Sequence, residues 1–141
     1  MVGMIRPAGV VALALAALGG LAGCASESAA GAPAPGATVK GPIRDGRYTE
    51  TGAYQTPGGP EALTVSVTVA DGRLTAVAVH GTGRTANAVH YQAAFASGIA
   101  AVVVGRPLNG LAVGAVAGSS LTPAGFDSAL DRIRADATAP R

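Results

Sequence analysis

Few residues in this chain could do metal or nucleophilic chemistry. The sequence has two histidines, His80 and His90, and one cysteine, Cys24. Neither histidine has a cluster of carboxylates or thiols near it in the sequence, whereas a zinc site needs three or four such ligands. We therefore predict no metal site, and we expect the histidines to be exposed in a loop and at a helix start.

Two further patterns suggest enzymes but lack the required spacing. Ser119 or Ser120 could be combined with His90 and Asp127 as a catalytic triad, but no nucleophile-elbow sequence surrounds either serine. The residues Gly81-Thr82-Gly83-Arg84 lack the Gly-Lys-Ser/Thr of a P-loop and the third glycine of a dinucleotide fingerprint. We interpret them as a loop, and neither pattern identifies a stand-alone catalyst.

The segment at residues 114–126 (GAVAGSSLTPAGF) is the most informative, because small residues lead from a possible strand into a helix start. Free backbone N–H groups and the positive end of the helix dipole favour a phosphate at such a junction. The alternative is that Gly118, Ser119 and Ser120 only form a turn that caps the last helix. Spacing alone favours the turn.

The composition predicts one small domain and excludes a nucleic-acid partner. The chain has 141 residues and a formal net charge of +2, without a run of basic residues. Aromatic residues make up 4% and tryptophan is absent, so a platform for stacking bases is not expected.

Residues 1–23 are predicted to be a lipoprotein signal peptide. Arg6 precedes an apolar stretch at residues 8–18, the arrangement of a secretory signal and too short for a comfortable membrane span. Leu21-Ala22-Gly23-Cys24 resembles the lipobox of bacterial lipoproteins, in which the signal is cut before the cysteine and the thiol receives a diacylglycerol. An incidental cysteine after an ordinary signal and an uncleaved anchor are the alternatives. Lipidation at Cys24 implies a lipid-anchored protein on the extracytoplasmic face of the cell membrane.

Residues 24–42 are predicted to be a flexible linker that carries the lipidated cysteine. Alanine, glycine, serine and proline dominate the segment, which cannot bury enough apolar surface to offset its ordering entropy. The folded domain is expected at residues 43–137, followed by a tail at residues 138–141.

A β-hairpin is the clearest structural pattern. Aliphatic and hydroxyl residues alternate at residues 63–69 (LTVSVTV), which places the aliphatic side chains on one face of a strand. Asp71-Gly72 favours a two-residue type I′ turn after it. The predicted register pairs Val69 with Leu74, Thr68 with Thr75, and Val67 with Ala76. A polar strand is expected before the hairpin, from Asp45 to about Tyr54, with a loop at residues 56–60.

Apolar residues recur every three or four positions at residues 89–104, which predicts a helix that ends at Gly105-Arg106-Pro107. Gly98 within it indicates close packing or a break, since glycine costs about 1 kcal/mol relative to alanine in a helix. The residues predicted to face the core are Tyr91, Phe95, Ile99 and Val102 or Val103.

A second helix is predicted to begin with Thr122 as its N-cap and Pro123 at its first position. Asp127 is expected in its first turn, where it would favour the helix dipole. With a possible short strand at residues 111–116, the order is β-β-β-α-β-α. This order predicts an α+β fold, with a small antiparallel sheet built on the hairpin and two helices. The predicted apolar stripe of the last helix comprises Phe126, Ala129 or Leu130, Ile133 and Ala137.

Nearly all of residues 43–137 resemble the bacterial FMN-binding domain, a module of sodium-pumping quinone reductases and related membrane electron-transfer proteins. The front half matches through Asp45-Gly46-Arg47-Tyr48, Gly52 and the hairpin sequence DGRLTAV at residues 71–77. Gly118-Ser119-Ser120-Leu121-Thr122 lies where the family carries its Ser/Thr-Gly-Ala-Thr-x-Thr/Ser motif before a helix. In the family, a flavin transferase esterifies the first threonine of this motif, here Ser120, with the phosphate of FMN.

The resemblance implies a membrane-anchored FMN-binding protein that relays electrons, with a flavin transferase and redox proteins as partners. It places the flavin phosphate on Ser120, with Gly118, Ser119, Leu121 and Thr122 around it. The ring of Tyr48 or Tyr91 is expected to neighbour the flavin.

The motif departs from the family pattern at four positions. Ser120 stands in place of the usual threonine, Ala117 and Ser119 replace the common Ser/Thr and Ala, and Gly114 occupies an upstream position that is usually acidic. The alternative function is therefore a flavin-free lipoprotein of the same fold that binds a ligand or a protein.

Overall fold

The computed structural model describes residues 36–140. The predicted signal peptide and Cys24 lie outside this range. Within it, three strands are followed by two helices, which confirms the predicted α+β class. The elements are β1 (Gly46–Thr56), β2 (Gly59–Ala70), β3 (Arg73–Gly81), α1 (Ala86–Val103) and α2 (Thr122–Thr138).

The sheet is antiparallel in the order β1-β2-β3. β1 and β2 form a hairpin in which Thr56 pairs with Gly59, so the loop predicted at residues 56–60 shrinks to Pro57-Gly58. The Thr56 hydroxyl closes this turn, because it donates to the Gly59 carbonyl at 2.8 Å and accepts from the Gly58 N–H at 3.2 Å. Both of these hydrogen bonds of the Thr56 hydroxyl therefore lie within the β1–β2 turn.

The second hairpin turns at Asp71-Gly72 as predicted. Both residues have a positive φ (50° and 72°), which a type I′ turn requires. Val69 pairs with Leu74, but Thr68 then pairs with Ala76 and Val67 with Val77, because a β-bulge interrupts the ladder at Thr68/Val69.

The bulge makes the rest of the predicted register wrong, and it has a clear physical benefit. Leu74 and Val77 are three residues apart and would point to opposite faces of a regular strand. Thr75 is the extra residue, so both aliphatic side chains reach the core side of the sheet while Ala76 is exposed.

Both helices pack on that core side, where the aliphatic side chains of β2 are buried. α2 lies against β1 and α1 against β3. Gly52 of β1 allows the close approach of α2, since a Cβ there would lie 1.7 Å from the Gly125 carbonyl oxygen. On the opposite face, hydroxyl pairs such as Thr49–Ser66 link neighbouring strands.

α1 begins three residues earlier than predicted and is capped by the Thr85 hydroxyl, which accepts from the Ala88 N–H at 3.1 Å. Its buried residues are Ala88, Gln92, Phe95, Ile99 and Val103. Phe95, Ile99 and Val103 are buried as predicted, but Tyr91 is exposed, because the buried stripe runs through Gln92 instead. Gly98 is closely packed as expected, with 3.0 Å between a hypothetical Cβ and Val116 Cγ1.

The strand predicted at residues 111–116 is absent from the part of the chain that the structure describes. The segment instead follows an irregular path between α1 and α2, with Leu111, Val113 and Val116 buried. Side chains of α2 pair two backbone groups of this segment: the buried Arg134 donates to the Leu111 carbonyl, and Asp127 accepts from the Val113 N–H. These two groups therefore have partners without a neighbouring strand.

The start of α2 also differs from the prediction. Leu121 is the N-cap and makes no side-chain cap hydrogen bond, so Thr122 lies inside the helix. Asp127 is beyond the first turn and is buried, where its carboxylate accepts from the Val113 N–H at 3.1 Å. The predicted apolar stripe of α2 is confirmed.

Ordered contacts begin before residue 43, the predicted start of the domain. The Val39 N–H donates to Asn109 Oδ1 at 2.8 Å, and Asn109 Nδ2 donates back to the Val39 carbonyl at 3.3 Å. The last residues of the predicted linker therefore pack on the loop before α2.

Candidate functional site

A cavity among residues 36–140 opens where both helices begin. It has a volume of about 410 Å³, within the range of small-molecule sites. Its walls are Tyr54 and the β1–β2 turn, the first turns of α1, and the segment immediately before α2. Since a helix N-terminus carries partial positive charge and unpaired N–H groups, the two helix ends together favour a negatively charged group here.

A tight turn shapes the wall before α2. Ala117 and Gly118 both have a positive φ (49° and 80°), and Val116 and Ser119 exchange backbone hydrogen bonds at 3.2 and 2.9 Å. This is a two-residue turn of the type I′ kind. A left-handed alanine is strained, and such strain persists only where the surrounding structure holds it.

Ser119 holds this turn and does not line the cavity. It is 1% exposed, and its hydroxyl donates to the Tyr91 carbonyl of α1 at 2.6 Å. This bond ties the turn to α1, so the role of Ser119 is to position the residues that follow.

The other four predicted motif residues, Gly118, Ser120, Leu121 and Thr122, all line the cavity. Ser120 is exposed, so its hydroxyl is accessible at the helix start. Thr122 is 1% exposed yet reaches the same cavity. The structure thus brings the predicted residues together, with Ser119 behind the others.

Of the two tyrosines predicted to neighbour a flavin, Tyr91 lines the cavity and Tyr48 does not. Tyr91 is 47% exposed and provides an accessible ring at the rim. The Tyr48 hydroxyl donates to the Arg44 carbonyl at 2.9 Å, at the opposite end of β1 from Tyr54.

Sequence reasoning missed a polar network behind the cavity. Gln92 Nε2 donates to the Tyr54 hydroxyl at 3.0 Å and to the Ala62 carbonyl at 2.9 Å, and Gln92 Oε1 accepts from the Gly83 N–H at 2.8 Å. Glu61 is buried and accepts from the Arg84 N–H at 2.9 Å. A signal existed for Glu61, since the alternation of β2 continued towards its N-terminus places this residue on the core side.

The remaining candidates are not assembled into a site. His80 is exposed, as predicted, but lies in β3 and not in a loop, and His90 is exposed on α1. Since Asp127 binds the Val113 N–H and Ser119 binds the Tyr91 carbonyl, neither is engaged with His90 as a triad would require.

Residues 36–140 contain no group of three or more histidine, cysteine, aspartate or glutamate side chains that could hold a metal ion. No helix in the same range combines the length and the apolar character needed to cross a bilayer.

Comparisons with family models, with curated proteins and with solved structures found no match for this chain. The FMN-binding hypothesis therefore depends on the residues quoted above and on the geometry of the cavity.

Proposed function

We propose that the protein is a membrane-anchored, extracytoplasmic FMN-binding module that relays electrons. The observation that carries the proposal is the position of Ser120, whose exposed side chain lines a cavity at which two helices begin. A flavin phosphate needs such a hydroxyl, positive helix ends and small neighbours.

The phosphate end of the cavity fits in charge and in space. No acidic side chain of the described residues lines the cavity, and the nearby Glu61 carboxylate is buried behind its wall, where it accepts from the Thr85 hydroxyl at 3.4 Å. A Cβ at Gly118 would meet no atom within 4 Å, which leaves a transferase room to reach Ser120. In a covalent complex Ser120 would contribute the ester oxygen and lose its hydroxyl proton, and the flavin donor's leaving group would depart from phosphorus.

The rest of the cavity fits an aromatic ring system. The rings of Tyr54 and Tyr91 and the side chain of Leu121 supply apolar surface. Tyr91 and Leu121 are each 47% exposed, so they can flank a ring whose edge stays open to a redox partner. When bound, FMN supplies the electron-carrying chemistry, and the protein positions it.

Attachment of FMN to Ser120 tests the proposal. The full-length chain is co-expressed with a flavin transferase in a bacterium that exports it, and intact mass and flavin fluorescence after denaturation are measured. We expect the mass to rise by one esterified FMN, and Ser120→Ala to abolish the rise. Since the Ser120 side chain is exposed, its removal should change folding stability little.

Ser97→Ala is the matched control, because Ser97 is an exposed serine of α1 whose hydroxyl donates to the Ala94 carbonyl. It should be flavinylated like the wild type. A Ser120→Ala protein that is still modified would contradict the covalent site. A wild-type protein that is unmodified and does not retain added FMN would favour the flavin-free alternative.

A further inference from the structure

The Tyr54 hydroxyl accepts a hydrogen bond from the side chain of Gln92. Tyr54 is 6% exposed and lies on the wall of the cavity. Gln92 Oε1 accepts from the Gly83 N–H at 2.8 Å, which identifies the other amide atom, Nε2, as the donor. Nε2 donates to the Tyr54 hydroxyl at 3.0 Å, so Tyr54 Oη is an acceptor in this bond.

The proton of the same hydroxyl must therefore point elsewhere. Among the hydrogen bonds formed within residues 36–140, the Tyr54 hydroxyl takes part only as the acceptor from Gln92 Nε2. A buried donor without an acceptor costs about 1–3 kcal/mol, and Tyr54 is one of the residues that line the cavity. Both the oxygen and the nitrogen of the Gln92 amide are bonded, since Oε1 accepts from the Gly83 N–H and Nε2 also donates to the Ala62 carbonyl at 2.9 Å. The amide therefore cannot flip to offer the Tyr54 hydroxyl an acceptor.

We propose that Tyr54 is a ligand-binding residue that donates a hydrogen bond to an acceptor oxygen or nitrogen of the flavin in the cavity, and that Gln92 orients its proton. The inference rests on the proposed function and extends it to specificity. Tyr54 favours a ligand that presents a lone pair at this depth of the cavity over one that presents an N–H or O–H.

Binding of free FMN by the full-length protein, produced without a transferase, tests this role. Tyr54→Phe removes the hydroxyl and keeps the ring, and Gln92 Nε2 keeps its bond to the Ala62 carbonyl. We expect the Kd, measured by flavin fluorescence, to rise about tenfold, as the loss of one buried hydrogen bond predicts. The flavin absorption bands should also shift, because the bond acts on the flavin directly.

Tyr48→Phe is the matched control on the same strand, since the Tyr48 hydroxyl binds the Arg44 carbonyl away from the cavity. It should leave the Kd and the spectrum unchanged. Gln92→Glu is a second variant, in which a carboxylate oxygen can accept the Tyr54 proton and withdraw it from the ligand. It should weaken binding as Tyr54→Phe does, and the double variant should be no weaker than either.

The outcomes separate the two proposals. If the wild type neither retains free FMN nor is modified when a transferase is present, the proposed function and this inference are both overturned. If the wild type binds FMN and Tyr54→Phe binds it with the same Kd and the same spectrum, this inference alone is overturned. Thermal unfolding of each variant shows whether a change in Kd follows from loss of fold, and a Tyr54→Phe protein that stays folded and binds weakly supports the assignment.

Discussion

Burial raises the pKa of Asp127 to about 6, above its ordinary value of 3.8, and the Val113 N–H and Arg134 only partly oppose this. The carboxylate lies beneath the segment before α2 and accepts from the Val113 N–H. Its role is structural, because it holds the irregular segment that leads to the Ser120 turn.

This raised pKa predicts a pH-dependent stability. Because the folded protein binds the Asp127 proton more tightly than the unfolded chain, the contribution is fully present below about pH 4 and is lost as the pH rises through about 6. We expect the free energy of unfolding to fall by about 1–2 kcal/mol from this group between pH 4 and pH 7, after allowance for solvent screening. Denaturant titrations at several pH values measure it.

Asp127→Asn provides the comparison. The Asn side-chain oxygen can still accept from Val113, but it does not titrate. The variant should show a flatter pH profile over this range. An identical slope in both proteins would mean that other groups cause the pH dependence.

At the scale of the elements, α2 packs closely on β1 at Gly52. A Cβ at Gly52 would lie 1.7 Å from the Gly125 carbonyl oxygen and 2.8 Å from the Ala129 nitrogen, both of which are backbone atoms. Such atoms cannot move aside without moving the helix. The glycine thus determines how near α2, and the turn before it, lies to Tyr54.

Gly52→Ala is therefore expected to destabilise the fold by about 3 kcal/mol or more, since overpacking typically costs 1–3 kcal/mol and here meets backbone. The thermal midpoint should fall and any flavin binding should weaken. Gly114→Ala is the control, because a Cβ there meets no atom within 4 Å, and its midpoint should stay close to that of the wild type. Equal midpoints for Gly52→Ala and the wild type would show that α2 and β1 can separate at little cost.

At the scale of the whole molecule, the proposed anchor is Cys24, outside the described residues. A lipidated cysteine would hold the domain at the membrane through the segment that precedes Val39, which among residues 36–140 is the first with a hydrogen bond to the loop before α2. Two acyl chains bind a bilayer stably where one binds reversibly.

We predict that Cys24→Ser moves the exported protein from the membrane fraction to the soluble fraction, since no acyl chain can then be attached. Fractionation of cells followed by immunoblotting measures the distribution. Ser26→Ala, two residues away, should remain with the membrane. Membrane association that survives Cys24→Ser would contradict the lipid anchor and favour an uncleaved signal.

Local patterns in the sequence were sufficient for much of the fold. The alternation of β2, the Asp71-Gly72 turn and the apolar stripe of α2 depend on neighbours within a few residues, and all were confirmed. The same locality explains the grouping of Ser120, Leu121 and Thr122, which are adjacent in the chain and share one cavity wall.

Only the tertiary structure decided which groups face each other over long sequence distances. Arg134 donates to the carbonyl of Leu111, 23 residues away, at the start of the segment that was predicted to be a strand. Ser119 turns to the Tyr91 carbonyl, 28 residues away, and Gln92 to Tyr54, 38 residues away. A hydroxyl can serve any nearby acceptor, so its partner is known only when the folded chain has brought one within reach.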